Sequence, residues 1–372
     1  MLWRPDEHEP LTNQEWDPDK ARDAIAEVVA DAEAAAENGV WPTHPLDEVP
    51  QEERFCSVYL GGAGMIWGLH RLGSNQDLRA AIRTTLQRYR SAPAAEESTH
   101  APSLLLGETG ILAVAQKLGA PVADERRLSF LVRANREYET WELLWGSPGT
   151  MLAARACGLD QEWQESAALL YEQWDTATDM WTHHLYGRLR PHIGAGHGFA
   201  SNVHALRGFV DDDVLKARVA SLLTRTAHHE EDLLNWPPED RPWSEQEQWA
   251  RVQWCHGAPG IITTLADLMP PEMAIAGGEM TWRAGPLRKG HGLCHGTAGN
   301  GFAFLKLYDL TGDERWLGRA RRFAMHAIDQ VARDRERYGR GRYTLWTGDI
   351  GAAVYLKACL DAEPAFPIMD NF

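Results

Sequence analysis

Two four-residue turns in this chain carry chemistry: Trp254-Cys255-His256-Gly257 and Leu293-Cys294-His295-Gly296. Each sets a thiol beside an imidazole, just ahead of an apolar segment with helical spacing. Two thiolates and one imidazole make a tetrahedral metal set with one position open, which is how a catalytic rather than a structural zinc is held. The alternative is two unrelated buried cysteines, since unpaired Cys is among the most buried residue types. The matched wording of the two turns argues against that for this pair. Cys56, Cys157 and Cys359 have no such context and read as core thiols, and an odd count of five cysteines does not suggest a disulfide framework.

The elements that must position these turns are repeated along the chain. A small-residue turn followed by an apolar helical segment recurs seven times, as in YLGGAGMIWGLHRLG from Tyr59 and LWTGDIGAAVYLKACL from Leu345. The leading glycines are Gly61, Gly107, Gly146, Gly198, Gly257, Gly296 and Gly348, spaced 39 to 59 residues apart. Six copies read G-x-x-G, while the fourth has Ser201 as its second small residue. In the second copy Ile111, Leu112, Ala115 and Leu118 share one helical face. Polar segments with helical signals lie between the copies, and strand signals are scarce. Such a pattern predicts an all-α fold, an (α/α) toroid of seven inner and seven outer helices. Closure would gather the turns at one end. An open solenoid of helix pairs has the same periodicity and stays open at this level. Residues 1–50 are expected to pack on the barrel as an N-terminal segment, with the seven repeats filling 51–372. The polar stretch from Glu230 to Gln248 reads as a loop near the metal mouth or as a solvated linker.

Bulk properties narrow the function. A net charge of −16 argues against nucleic acid as the main ligand, because a phosphate backbone would be repelled. No apolar run approaches the roughly 18 residues of a membrane span. The opening MLWRPDEHEP resembles neither a secretion signal nor a myristoylation site. A soluble, cytoplasmic protein is the expectation.

WCHGAPG followed by GLCHGTAGN closely resembles the paired signature of the lanthionine synthetase C-like family, the bacterial lantibiotic cyclases and their eukaryotic relatives. The resemblance runs from about Ser57 to Pro367 and takes in all seven turns. It implies a double-layered helical barrel with one zinc per chain, bound by Cys255, Cys294 and His295. The implied chemistry is addition of a thiol to the β-carbon of a dehydrated Ser or Thr. His197, in GAGHGFAS, matches the family's active-site histidine and is the candidate proton donor; a packed helix-entry residue is the plain alternative. Arg251 stands where the cyclases have an arginine that could stabilise enolate charge. Glu142 aligns with a cyclase aspartate, although a helix N-terminal carboxylate would look the same. His256 replaces the tyrosine usual in lantibiotic cyclases, so the wording is closer to the eukaryotic branch. Lys289, and Arg4 near the start, resemble glutathione-associated residues of that branch. A solvated lysine is the competing reading of Lys289.

The expected activity is therefore zinc-dependent joining of glutathione or a peptide cysteine to dehydroalanine or dehydrobutyrine. Lanthionine ring closure is the close alternative, and a non-catalytic zinc-containing glutathione- or peptide-binding protein is the alternative of another class. The expected partners are a dehydrated peptide or protein, glutathione, and a separate dehydratase or kinase that prepares the substrate. Prenyltransferase β-subunits also use helical toroids and zinc, but with a carboxylate in the ligand set. A toroid glycosidase would need two marked carboxylates facing a cleft, and no such pair stands out.

Overall fold

The computed structural model describes residues 2–47, 49–50, 52–95, 97–241 and 251–372. Helices of two kinds alternate along them. The outer set is α1 (Pro18–Ala34), α3 (Leu78–Ser91), α5 (Glu125–Ala134), α7 (Asp160–Glu172), α9 (Asp212–Thr226), α11 (Pro271–Ala284) and α13 (Glu314–Tyr338). The inner set is α2 (Gly62–Arg71), α4 (Glu108–Lys117), α6 (Ser147–Ala156), α8 (Phe199–Leu206), α10 (Ala258–Leu265), α12 (Thr297–Thr311) and α14 (Asp349–Asp361). Each inner helix packs on the next, and α14 packs back on α2, so the ring closes and the open solenoid is excluded. The helix α1 lies against α14 and α13, in the outer layer where the chain's two ends meet.

The difference between the layers follows from sequence. Outer helices are amphipathic: α5 buries only Leu128, Leu131 and Val132, three and four residues apart. Five of the seven are capped by carboxylates, Asp17, Asp77, Asp124, Asp211 and Asp313 each accepting from backbone N–H groups of the first turn. Such caps typically contribute ~1 kcal/mol each. Inner helices are buried nearly all round, as in α4 from Glu108 through Ala115. They start at glycine with no side-chain cap because the chain folds tightly over its own entry turn. A Cβ on Gly257 would run into the Arg251 carbonyl, and one on Gly260 into the Trp254 carbonyl. Gly257 also sits at φ +107°, which disfavours any side chain.

Hydrogen bonds run from turn to turn around one end of the barrel. Tyr59 N donates to Leu105 O (2.8 Å), Gly196 N to Cys255 O (3.2 Å), and Cys255 N to Cys294 O (3.1 Å). Leu293 N and Cys294 N both donate to Trp346 O (2.8 Å each), and Trp346 stacks on Tyr59 to complete the circle. Inside the ring, Phe366, which follows α14, is buried and stacks on Trp254, with centroids 4.7 Å apart and rings 7° from parallel.

Two antiparallel hairpins interrupt the helical pattern where strand signals were scarce. One pairs β1 (His183–Leu185) with β2 (Arg188–Arg190); the other pairs β3 (His228–Glu230) with β4 (Leu233–Asn235). The second hairpin corrects the reading of the Glu230–Gln248 stretch as loop or linker. Leu233, Leu234, Asn235 and Trp236 are buried in it, while residues 242–250 lie outside the described residues.

Candidate functional site

The fifth and sixth turns bring Cys255, Cys294 and His295 together. One ligand atom from each, two sulfurs and an imidazole nitrogen, lies within 4.8 Å of the others. The two cysteines are buried, and the backbone bond between them holds the turns side by side. The hydrogen bond from Cys294, followed by that from His295, holds the Cys255 thiol well below its ordinary value, and the same bond pushes Cys294 up. Two sulfurs and an imidazole this close suit a cation, which takes the place of the thiol protons. Among the described residues this is the one cluster of His, Cys, Asp or Glu able to hold a metal ion.

The third and fourth turns add a carboxylate and an imidazole. Glu142 is fully buried, and its carboxylate accepts from Leu144 N (2.9 Å), Trp145 N (2.6 Å) and His197 Nδ1 (2.9 Å). Burial pulls His197 down, but the hydrogen bond and charge of Glu142 outweigh it, so His197 lies above its ordinary value. It follows Gly196, whose N–H is bonded to Cys255, so the proton-holding pair stands next to the metal set.

His256 is buried beside them, its ring centroid 5.8 Å from His197. Burial lowers it to about 4; the thiolate of Cys255 opposes this, while the positive charges of His197, Arg251 and Lys289 add to it. The Arg251 side chain is exposed, and its carbonyl is held by Asn235 Nδ2 (3.3 Å). Lys289 is also exposed, and its charge reaches Cys294 and His256.

Arg4 arrives by another route. Residues 2–9 pack on β4 and on the segment leading to the sixth turn: Asn235 Nδ2 donates to Leu2 O (2.8 Å), Arg288 N to Glu7 O (2.9 Å), and Arg288 Nε to His8 O (2.6 Å). Arg4 itself is ion-paired with Asp6 (2.8 Å) and Glu7 (3.5 Å) of the same segment.

The lanthionine synthetase C-like protein family profile matches residues 12–370. This chain belongs to that family. It is 37% identical over 127 residues to Glutathione S-transferase LANCL1 of Danio rerio, a match covering 32% of this chain and 31% of that protein. It is 46% identical over 83 residues to LanC-like protein GCL1 of Arabidopsis thaliana, covering 20% and 19%. The chain thus spans about a third and a fifth of these relatives' lengths. Nisin cyclase has the same fold: TM-score 0.62 at 13% identity, over 91% of this chain and 94% of that one. No helix among the described residues of this family member is long and apolar enough to cross a membrane.

Four residues at the site carried no clear sequence signal. Gln253 Nε2 donates to the Cys255 sulfur (3.2 Å), and the Tyr59 hydroxyl lies against the Cys294 sulfur. His192 sits among His183, His197 and His256, with centroids 5.7 to 6.2 Å away, and burial followed by its imidazole neighbours lowers it to about 3. His183 and His192 flank the β1–β2 hairpin, in a polar stretch whose residue types resemble any surface loop. Tyr59 and Gln253 stood close to motif glycines and could have been found from that proximity.

Proposed function

We propose that this chain adds a thiol, glutathione or a peptide cysteine, to the β-carbon of dehydroalanine or dehydrobutyrine in a peptide or protein, giving a thioether. The supporting observation is the meeting of the Cys255–Cys294–His295 set with the Glu142–His197 pair in a lanthionine synthetase C-like chain. Two sulfurs, one imidazole and a fourth position left open fit zinc. Zinc held there would present a substrate thiol as thiolate at neutral pH.

The chain's own residues would handle the rest. As the S–Cβ bond forms, the C=C electron pair moves toward Cα and the adjoining carbonyl oxygen. Arg251 would stabilise the negative charge on that oxygen. His197, held as imidazolium by Glu142, would give its proton to Cα, and the proton released by the thiol restores the balance. Lys289 and Arg4 would meet the carboxylates of glutathione, and His256 would line the thiol's seat.

Glutathione is favoured by the motif wording at His256 and Lys289 and by the printed name of the Danio rerio relative. Ring closure in a precursor peptide is the same chemistry with the thiol supplied in cis. A separate dehydratase or kinase would prepare the acceptor. Unpaired thiols fit a reducing cytoplasm.

The test is metal analysis, then incubation with glutathione and a dehydroalanine peptide, followed by mass spectrometry. About one zinc per chain, with an adduct that requires His197, supports the reading. Glutathione binding with no adduct leaves the binding-protein alternative. A folded, reduced protein without metal at neutral pH overturns the proposal.

A further inference from the structure

Trp141 has φ +44°, a left-handed conformation that a bulky side chain keeps only where its surroundings hold it. The next residue is Glu142, partner of His197. Two side chains from distant elements fasten the Trp141 carbonyl. His183, at the start of β1, directs Nδ1 at Trp141 O (2.9 Å) and Thr140 O (3.1 Å). Asn202, in α8, donates Nδ2 to the same Trp141 O (2.8 Å). Both residues are fully buried.

Both partners of His183 Nδ1 are carbonyls, which only accept, so that nitrogen carries the proton. The ring also lies against the backbone of His192. Its two well-formed hydrogen bonds both go to the Thr140–Trp141 backbone. Two donors on one carbonyl fix the plane of the peptide joining Trp141 to Glu142, and with it the direction in which Glu142 leaves the backbone. The bonds of Glu142 to Leu144 N and Trp145 N lie within its own turn and would move with it. The grip from β1 and α8, beside the bond from His184 N to Glu139 O (3.2 Å), ties that turn to the hairpin and the inner helix on either side of His197.

We propose that His183 and Asn202 are positioning residues that hold the strained Trp141 backbone and so deliver Glu142 to His197. The catalytic part of this inference rests on the thiol-addition reading above; the geometric part does not.

The test uses the full chain with His183→Leu, which removes the donor, and His183→Asn, whose amide can reach the same carbonyl. Asn202→Ala is the second variant should His183→Leu fold poorly. The His197 Nδ1–H proton is followed by NMR, assigned by its loss in His197→Ala, and kcat, KM and metal content are measured alongside. For His183→Leu or Asn202→Ala we expect that resonance to broaden or shift. We also expect kcat to fall about 10- to 100-fold, the scale of a small misplacement of a catalytic group, with KM for the thiol and metal content unchanged. His183→Asn should restore both signals. A folded His183→Leu or Asn202→Ala that keeps the resonance and kcat of the parent overturns the inference. If the parent forms no adduct, the thiol-addition reading falls, and the NMR signal alone decides whether the grip exists.

Discussion

Among the described residues two histidines stand 2.9 Å from a buried carboxylate, His197 on Glu142 and His291 on Asp349. Their surroundings differ. His291 is 1% exposed, with Nε2 on Asp349 and Nδ1 3.5 Å from Asp334. Arg335 Nε donates to the second oxygen of Asp349 (2.8 Å), and its far end pairs with Asp31 (3.1 Å). Each charge there faces an opposite protein charge. The His197 side chain is 21% exposed, and no described residue bonds its Nε2. Burial lowers both histidines and carboxylates raise both, so titration alone would not separate them. The open nitrogen does. An imidazole committed at both nitrogens is a cross-link, and one with a nitrogen to spare can exchange a proton with a substrate.

Substitutions that act on one side only test this contrast. The largest effect is expected from Cys294→Ala, which should remove the metal and abolish adduct formation, as metal analysis and mass spectrometry would register. His197→Ala should lower kcat about 10³-fold, within the span of general acid catalysis, and leave urea unfolding nearly unchanged. If His197→Ala instead destabilises the fold as His291 variants do, the two pairs do not differ in role.

His291→Leu should do the reverse. Removing one partner from a buried charged network typically costs about 3–5 kcal/mol. Urea unfolding should show a loss of that order, with kcat per folded molecule and metal content near the parent's.

The smallest effect is a pH dependence. Asp334 and Asp349 hold His291 above 6.5, so its share of stability is complete below pH 6.5 and fades as pH rises through the folded value. Burial opposes ionisation of Asp349, but His291 and Arg335 hold it below 3.8, so its share is complete above pH 3.8 and fades only at lower pH. The pair therefore stabilises most between these limits. Thermal melts of the parent and His291→Gln from pH 5 to 9 should show a gap that narrows above pH 6.5. A gap that stays constant would mean His291 is not charged in the folded protein.

The parts legible in sequence were those that repeat or pair. Gly257 and Gly260 recur at a fixed offset because each close turn excludes a Cβ, so the repeat betrayed the inner helices. Cys255 and Cys294 stood out because the same words surround both. His183 and His192 were invisible: a single histidine in a polar stretch has no periodicity, and its value comes from the Trp141 carbonyl more than forty residues away in the chain. The hairpin carrying His183 was missed because three-residue strands are too short to show alternation.

Helical period, turn glycines and the twin Cys-His words are local, so residue order alone determined the repeat, the inner helices and the two cysteines of the metal set. The choice of His295 over His256 came from the family resemblance, and the place of α1 (Pro18–Ala34) in the outer layer came from the tertiary structure. Tertiary structure decided what depends on closure: α14 returning to α2, Tyr59 meeting Cys294 from the opposite end of the repeat array, and residues 2–9 reaching β4 and Arg288. It also decided which of two similar histidine–carboxylate pairs keeps a nitrogen free. The physical reason is that a side chain's chemistry depends on which of its atoms are already satisfied, and the satisfying groups here come from turns far apart in the chain.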